Sequence, residues 1–199
     1  MGKRLFDAIA SLVVLAVLSP FFLVIAALIK LDSPGPVFFR QQRLGQGARP
    51  FMIYKFRTMQ AGAPARGPRI TVHGDPRVTP LGRVLRRFDL DELPTLLNVL
   101  RGDMSFVGPR PELPEYLPYY SEEQKQVFTV RPGLTDPGTL AFRNEAALID
   151  DARAEDVYAR EILPRKLALN LEYIRSRSFL ADAAIIARTL AAVVFQTKG

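Results

Sequence analysis

Two adjacent carboxylates, Asp91 and Glu92, are the residues whose type and spacing best suit them to chemistry. Pro94 lacks a backbone N–H and is comfortable only in the first turn of a helix, which predicts a helix start at Leu90 or Asp91. Asp91 could then be the N-cap of that helix, with Glu92 near the positive end of its dipole. The same position could instead bring a carboxylate nucleophile to a phosphoryl group docked at the helix start.

Cations surround this pair in the sequence. Adjacent carboxylates repel each other unless positive charges lie nearby, and Arg83, Arg86 and Arg87 precede them. Lys55 and Arg57 are two residues apart, so on a strand they would point the same way. A solvated strand face explains that pair equally well. RNA binding would need a second strand with aromatic residues, and the sequence has none, so nucleic acid is not an expected partner.

Arg110 lies between Pro109 and Pro111. The two prolines make its backbone rigid, so its guanidinium is presented with little ordering cost. A guanidinium suits bidentate contacts with oxyanions, although a rim arginine without a ligand is the alternative. Neither a Gly-Lys-Ser/Thr phosphate loop nor a Gly-x-Gly-x-x-Gly fingerprint occurs.

The composition narrows the chemistry further. The chain has 199 residues, no cysteine and one histidine, His73. These counts exclude disulfides, thiolate zinc sites, a cysteine nucleophile and any site with several histidine ligands. The net charge is +7, with the basic excess concentrated in the first 110 residues. Such a surface suits phosphate groups or an anionic membrane.

Residues 8–29 form an uncharged apolar run with basic residues on both sides. As a helix it would be about 33 Å long, enough to cross a hydrocarbon core of about 30 Å. The run is longer than the apolar part of a cleaved signal peptide. We therefore expect a membrane helix that stays on the protein.

Ser19 and Pro20 lie in the middle of this run. Pro20 cannot donate to the Ala16 carbonyl and kinks a helix, whereas Ser19 can hydrogen-bond a freed carbonyl. A spanning helix normally has asymmetric flanking charge. Basic flanks on both sides suit a re-entrant helix that breaks at Ser19–Pro20 and returns to the same face. A spanning helix with a tolerated kink is the alternative, and both stay open at this point.

The remaining sequence predicts a mainly α fold with one small β-hairpin. Short β-prone runs at 37–39 and 51–54 predict the hairpin, and the Gly- and Pro-rich residues 60–80 predict an irregular loop. Residues 105–118 should be extended, and 131–133 should form a turn. Helices are expected at 82–88, 93–100, 121–127 and 145–175, and after Ser178.

Three of these helices carry specific end or break signals. Gly102 should close the helix at 93–100 in a left-handed conformation. Pro164 should divide the helix at 145–175 into two pieces. Ser178 should cap the last helix, where Asp182 and Arg188 favour an amphipathic segment on the protein or at the membrane interface.

Several motifs occur in one order along the chain. They are Ser19-Pro20, Lys-Phe-Arg-Thr-Met at 55–59, Asp-Glu-Leu-Pro at 91–94, Asn-Val-Leu-Arg-Gly-Asp-Met-Ser at 98–105, Val-Gly-Pro-Arg-Pro at 107–111 and Val-Arg-Pro-Gly-Leu-Thr at 130–135. Together they closely resemble the bacterial sugar transferases, the small monotopic phosphoglycosyl transferases. The resemblance runs over nearly the whole chain.

The resemblance implies a reaction. Such enzymes transfer a phospho-sugar from a UDP-sugar to a polyprenyl phosphate, such as undecaprenyl phosphate, and release UMP. This is the first membrane step of polysaccharide or glycoprotein biosynthesis. The path is ping-pong, with Asp91 as the nucleophile that carries the phospho-sugar. Mg²⁺ is the implied cofactor, with Asp91 and Glu92 as its ligands; Glu92 could instead take a proton from the acceptor.

The resemblance also implies an architecture. Residues 1–32 would be a re-entrant membrane helix, broken at Ser19–Pro20, and residues 33–199 a compact catalytic domain with amphipathic interface helices. The protein would lie on the cytoplasmic face of the bacterial inner membrane, and a homodimer is left open. Basic residues would bind the substrate phosphates: Lys55, Arg57, Arg86, Arg87, Arg110, Arg131 and Arg143.

The chain departs from a common family pattern after Thr135. Many members continue with Gly-Trp and a Gln-Val-Asn-Gly-Arg run, whereas this chain has a different segment at 136–145 and no tryptophan. Arg143 and Asn144 could correspond to the family's arginine. The rival function is a non-enzymatic polybasic module that recruits partners to membranes. A recruiting module would gain nothing from carboxylates within its anion-binding patch, so Asp91 and Glu92 favour the enzyme.

Overall fold

A long helix and a hairpin begin the fold. In the computed structural model, which describes residues 2–63, 71, 74–143 and 153–195, helix α1 runs over Gly2–Asp32. Strands β1 (Phe38–Leu44) and β2 (Pro50–Phe56) pair antiparallel. The predicted hairpin is confirmed. Its strands are longer than the β-prone runs, because the pairing continues through polar residues of β1 that alternate between half-buried and exposed positions.

Helix α1 continues through Pro20 without interruption. The Ser19 hydroxyl donates to the Ala16 carbonyl at 2.8 Å, and this is the carbonyl that Pro20 cannot reach for lack of an N–H. The hydroxyl therefore replaces the missing backbone donor. The predicted break of the helix at Ser19–Pro20 is wrong, because one helical segment includes both residues.

The N-terminal part of α1 is fixed to the rest of the chain by polar contacts. The Arg4 guanidinium donates to the carbonyls of Val99 and Leu100, each at 2.6 Å. The Asp7 carboxylate, almost fully buried, accepts from the Phe106 amide at 3.3 Å. Lys3 pairs with Asp182. A helix that is otherwise apolar thus begins with polar residues anchored on the domain.

The C-terminal part of α1 packs on the same domain through apolar side chains. Ile25 and Ile29 are buried against Phe56 and Leu85. Between the two anchored ends, large apolar side chains of α1 are exposed: Leu12, Val13, Val17, Leu23 and Val24. The helix is long and apolar enough to cross a membrane, and only 11% of its most apolar window is buried. The protein itself does not cover this surface, which is consistent with association with a membrane.

Two helical segments follow the hairpin and the loop. Helix α2 (Pro80–Arg87) begins after Thr79, whose side chain accepts from the Gly82 amide. A 3-10 helix (Leu90–Thr95) leads directly into α3 (Leu96–Arg101). Gly102 closes α3 with a φ of 95°, which confirms the predicted left-handed end.

A second small sheet, which the sequence did not predict, lies next to α3. Strands β3 (Ser105–Val107) and β4 (Gly133–Thr135) pair parallel. A Cβ on Gly133 would lie 2.1 Å from the Gly108 amide nitrogen, so only glycine allows this approach. Residues 131–133 were predicted as a turn, and β4 begins at the last of them.

The prediction that residues 105–118 are extended is only partly correct. Extended structure gives way to a 3-10 helix at Pro114–Tyr119, because the prolines at its start and within it fit a short helical turn. Another 3-10 helix covers Gln124–Thr129. The Ser121 hydroxyl accepts from the Gln124 amide, and the Gln124 side chain accepts from the Ser121 amide. The helix predicted at 121–127 is thus a 3-10 helix that begins later, at Gln124, and the Ser121–Gln124 pair closes the turn that precedes it.

The C-terminal part of the chain is helical. It contains α4 (Pro137–Ala141), α5 (Ala154–Val157), a π-helical segment (Tyr158–Ile162), α6 (Leu163–Ser176) and α7 (Phe179–Val194). Residues 145–152 of the predicted helix lie outside the described residues. Pro164 lies in the first turn of α6, so the helical path continues past it. Ser178 caps α7 by accepting from the Ala181 amide at 3.1 Å, as predicted.

Asn98 connects α3 to the hairpin and gives a test of this arrangement. Its side-chain amide donates to the Met52 carbonyl at 2.8 Å, and its side-chain oxygen accepts from the Tyr54 amide at 3.1 Å. Because Asn98 is fully buried, Asn98→Ala should leave two backbone groups of β2 unpaired. We expect the free energy of unfolding to fall by about 3 kcal/mol, measured by denaturant titration in detergent.

The control for Asn98→Ala is Gln42→Ala, at an exposed position of β1. This control should change the free energy of unfolding by less than about 0.5 kcal/mol. Equal losses in the two variants would contradict the proposed bridge.

Candidate active site

The carboxylate pair lies in the first turn of the 3-10 helix. Asp89 precedes this helix in the left-handed conformation, with φ 53° and ψ 20°, and its side chain makes no capping hydrogen bond. Thr95, at the other end, is fully buried and donates to the Tyr54 carbonyl at 2.9 Å. The turn and this anchor hold Asp91 and Glu92 against strand β2.

Glu92 is held by two cations. Its Oε1 accepts from Lys55 Nζ at 2.5 Å and from Arg110 Nη2 at 2.6 Å. Burial alone would raise the pKa of Glu92, but Arg110 and Lys55 together outweigh burial and hold that pKa well below its usual range. Glu92 raises the pKa of Arg110 well above its ordinary value in return. Burial lowers the pKa of Lys55 more than Glu92 raises it.

Asp91 has a different environment. It is 9% exposed, and within the described ranges no side chain or backbone amide donates a hydrogen bond to its carboxylate. The pKa of Asp91 is raised to about 6, chiefly by burial and also by the Glu92 charge, against the opposing charges of Lys55 and Arg86. Asp91 therefore stays mainly ionised at pH 7, and its carboxylate accepts no hydrogen bond from the described residues.

The interpretation of Asp91 as an N-cap is wrong. Asp89 occupies the residue before the helix, and Asp91 lies within its first turn. The helix starts two residues earlier than an Asp91 cap requires, because the left-handed turn at Asp89 redirects the chain after α2. The pKa values of the two carboxylates are pushed in opposite directions, which is typical of acid, base or nucleophile pairs with separate roles.

A small cleft of about 10 Å³, open at its mouth, adjoins Glu92. The polar residues that line it are Arg43, Lys55, Glu92, Thr95 and Arg110, and Gly133 and Leu134 contribute the β4 side. The predicted residues Lys55, Glu92 and Arg110 therefore meet at one place, although they come from three separate segments. Three cationic side chains around one cleft suit a ligand with several negative charges.

Arg43 and Glu112 belong to this region and were missed by the sequence analysis. Arg43 Nη1 donates to the Pro111 carbonyl at 3.1 Å and lies 3.9 Å from the Glu112 carboxylate. Burial lowers the pKa of Arg43. The Tyr158 hydroxyl donates to Glu112 at 2.7 Å. The position of Glu112 directly after Arg110-Pro111 was the one available signal for it.

Two arginines that were predicted to bind phosphate do not reach the cleft. The buried Arg57 guanidinium donates to the carbonyls of Ser33 at 2.7 Å and Pro34 at 2.5 Å, at the end of α1. Arg131 Nε donates to the Gly102 carbonyl at 2.8 Å. Both guanidiniums satisfy carbonyls at helix C-terminal ends, where backbone acceptors are unpaired. Both guanidiniums therefore make structural contacts here, and phosphate binding by Arg57 and Arg131 stays a prediction.

The other predicted arginines, Arg86, Arg87 and Arg143, each contact a different group. Arg86 Nε donates to Thr58 Oγ1 at 2.8 Å, and its charge acts on Asp91. Arg87 lies over the Phe88 ring, with its guanidinium carbon 5.7 Å from the ring centre. Arg143 forms an ion pair with Asp89. Asn144 lies outside the described residues.

Asp91 and Glu92 are also the candidate ligands for a metal ion. In the part of the chain that the structure describes, no group of three or more acidic, histidine or cysteine side chains could hold a metal ion. Mg²⁺ is usually held by one or two carboxylates together with substrate phosphates and water. Asp91 fits that pattern because it has no hydrogen-bond donor in the described residues. Glu92 fits it through Oε2, because Lys55 and the short Arg110 contact both use Oε1, and Oε2 accepts only from Arg110 Nη1 at 3.5 Å.

Comparisons with known proteins agree with this geometry. The family model described as bacterial sugar transferase matches residues 1–196. A UDP-glucose:undecaprenyl-phosphate glucose-1-phosphate transferase from Caulobacter vibrioides is 39% identical over 96% of this chain and 68% of its own. An undecaprenyl-phosphate glucose phosphotransferase from Komagataeibacter xylinus is 42% identical over 98% of this chain and 36% of its own.

A third relative has nearly the same extent as this chain. The exopolysaccharide production protein PSS from Rhizobium leguminosarum bv. phaseoli is 39% identical over 99% of this chain and 97% of its own length. By contrast, the chain spans about two thirds of the Caulobacter relative and just over one third of the Komagataeibacter relative. The family model and these identities show that the chain belongs to the bacterial sugar transferase family.

Proposed function

We propose that this protein is a phosphoglycosyl transferase that moves a phospho-sugar from a UDP-sugar to a polyprenyl phosphate and releases UMP. The observation that carries the proposal is a carboxylate pair beside a basic cleft, with Asp91 buried and Glu92 partly buried. Glu92 is paired with Lys55 and Arg110, whereas Asp91 is ionised and accepts no hydrogen bond from the described residues. Membership of the family supplies the substrate class, since named relatives act on undecaprenyl phosphate.

The chemistry proceeds in two displacements at one phosphorus atom. An Asp91 oxygen attacks the phosphorus that bears the sugar, and the bond from that phosphorus to the bridging oxygen of UMP breaks. A phosphate oxygen of the polyprenyl phosphate then attacks the same phosphorus, and the Asp91 carboxylate leaves. A nucleophile that remains ionised at neutral pH suits the first step, and the cleft cations offset charge on the transferring group.

Mg²⁺ is part of this proposal. Asp91 and Glu92 would hold it together with the donor diphosphate, and the ion would neutralise phosphate charge. The chain's own contribution is the rest of the charge compensation. Arg110 and Lys55 fix Glu92, while Arg86 lies near Asp91.

The membrane part of the proposal rests on the two attached ends of α1. Residues 1–32 would form a re-entrant membrane helix, and residues 33–199 would form the catalytic domain on the cytoplasmic face of the bacterial inner membrane. The first and last turns of α1 contact the same domain, and its middle exposes apolar side chains. Attachment of both ends to one body favours entry and return on one side of the bilayer. Because α1 is continuous, the return requires its axis to bend at Pro20 rather than to break there. The cleft would then lie near the lipid headgroups.

A non-enzymatic recruiting module is less well supported. Such a module binds its partners through exposed cations. Here Lys55 and Arg110 instead form ion pairs with the largely buried carboxylate of Glu92. Burying a carboxylate costs free energy that pairing only partly offsets, and a recruiting module would gain nothing in return. The direct test is UMP release from a panel of UDP-sugars mixed with undecaprenyl phosphate and detergent-solubilised protein. No release with any donor would contradict the proposed function.

Asp91→Asn tests the nucleophile. The amide keeps the size of the side chain but lacks the anionic oxygen that attacks phosphorus, so turnover should fall by at least about a thousandfold. Protein labelling by a donor carrying radioactive phosphate next to the sugar should also disappear. Asp156→Asn, at an exposed carboxylate distant in sequence, is the control and should retain full activity. Activity within about tenfold of wild type in Asp91→Asn would exclude the covalent path.

Arg110→Lys tests the charge clamp on Glu92. The guanidinium reaches Glu92 with two nitrogens, at 2.6 and 3.5 Å, and a lysine provides one point charge instead of a planar fork. We expect kcat/KM for the UDP-sugar to fall by about 10- to 100-fold. Arg160→Lys, at an exposed helix position, is the control. Wild-type kinetics in Arg110→Lys would remove Arg110 from the site.

Single cysteines test the topology of α1, because the chain has no native cysteine. Gly2→Cys and Ser33→Cys lie at opposite ends of the helix, and Glu122→Cys reports the position of the domain. A re-entrant helix predicts that an impermeant thiol reagent labels none of the three in intact cells and all three after lysis. Labelling of position 2 alone from outside would demonstrate a spanning helix.

A further inference from the structure

The segment after β4 approaches the carboxylate pair from a distant part of the chain. Asp136 is almost fully buried and caps α4 by accepting from the Thr139 amide at 2.9 Å. At the other end of α4, Phe142 packs against the largest apolar cluster. Arg143 follows Phe142 directly, so the packing of this segment fixes the backbone position from which the Arg143 side chain extends. This is the segment whose sequence departs from the common family pattern.

Arg143 makes an ion pair with Asp89. The side chain of Arg143 is 14% exposed, against 47% for Asp89. The two residues are 54 positions apart in the sequence. This contact therefore joins the α4 segment to the turn in front of the 3-10 helix.

Asp89 is where the chain changes direction between α2 and the 3-10 helix. Its φ of 53° lies in the left-handed region, which residues other than glycine seldom adopt. The Asp89 amide donates to the Arg86 carbonyl at 3.3 Å, and the Glu92 amide donates to the Asp89 carbonyl at 3.2 Å. A shift of this turn would move Asp91 and Glu92 together, because both lie in the first turn that follows.

We propose that Arg143 is a positioning residue that holds the Asp89 turn and thereby sets the direction from which Asp91 approaches phosphorus. This inference rests on the proposed function, in which Asp91 is the nucleophile. It replaces the predicted role of Arg143 as a phosphate ligand. A small displacement of a nucleophile reduces the rate of attack without weakening substrate binding, since the binding groups are elsewhere.

The rival role uses the same side chain. Arg143 Nε is buried and has no hydrogen-bond partner among the described residues, so a donor phosphate could in principle use it. The two roles differ in what Asp89 does. If Arg143 positions the turn, loss of either partner harms the same step. If Arg143 binds phosphate, loss of Asp89 leaves the phosphate contact intact.

The kinetic test is a double-mutant cycle with Asp89→Asn, Arg143→Gln and the two combined, since asparagine tolerates the left-handed conformation. We expect each single variant to lower kcat for UMP release about tenfold, with the donor KM within about twofold of wild type. The combined variant should lose no more than either single one. Arg143→Lys, which keeps the charge, should recover part of the loss.

The structural test does not depend on activity. Amide hydrogen exchange in residues 89–95 should accelerate in Asp89→Asn and in Arg143→Gln. Arg175→Gln removes a solvent-exposed ion pair with Glu123 and should change neither exchange in this segment nor kcat. If wild-type protein releases no UMP, the proposed function fails, while hydrogen exchange still tests the contact.

Three results would overturn the positioning role. The first is unchanged exchange in residues 89–95 in both single variants. The second is additive losses of kcat in the double variant. The third is a raised donor KM in Arg143→Gln together with wild-type kinetics in Asp89→Asn, which would assign Arg143 to the donor phosphate.

Discussion

The partly buried contact of Glu92 with Lys55 and Arg110 is the interaction on which the rest of the site depends. Lys55 comes from β2, Glu92 from the 3-10 helix and Arg110 from the proline-flanked segment after β3. Burial of these charges costs free energy that only their mutual contact offsets, and removal of one partner from such a group typically costs about 3–5 kcal/mol. The hairpin, the 3-10 helix and the segment after β3 must therefore meet in one arrangement.

The same contact gives the two neighbouring carboxylates different surroundings. Glu92 takes the direct contacts with Lys55 and Arg110, so Asp91 is left with cations nearby but no hydrogen bond from the described residues. A carboxylate saturated with donors is a poor nucleophile, because its lone pairs are occupied. Adjacent residues in a 3-10 helix point in different directions, which gives each carboxylate its own environment. The order Asp-Glu thus determines which side chain reaches the cations and which is left without a hydrogen-bond donor among the described residues.

Local signals in the sequence predicted local structure well. The hairpin, the cap at Ser178 and the left-handed end at Gly102 follow from residue types within a few positions of each other. The parallel pairing of β3 with β4 could not be predicted in this way, because it joins short strands more than twenty residues apart. The continuity of α1 was also missed, since a serine hydroxyl compensates the proline locally.

The site shows the same division. The carboxylate pair of Asp91 and Glu92, together with Arg110, could be proposed from residue type and motif order. The partners of individual arginines could not. Arg57, Arg131 and Arg143 look alike in sequence, yet they bind helix-end carbonyls or Asp89. Which acceptor an arginine finds depends on tertiary packing.

Asn98 and Thr95 have a consequence for how the protein behaves in a crowded cell. A two-stranded sheet has two edges, and the outer edge of β2 would offer unpaired backbone groups as a template for a strand of another molecule. Asn98 occupies the Met52 carbonyl and the Tyr54 amide, and Thr95 occupies the Tyr54 carbonyl. Side chains of the segment that contains Asp91 and Glu92 thus shield this edge from intermolecular strand pairing. The same few residues hold the segment of Asp91 and Glu92 against β2 and leave fewer backbone groups of that strand open to another molecule.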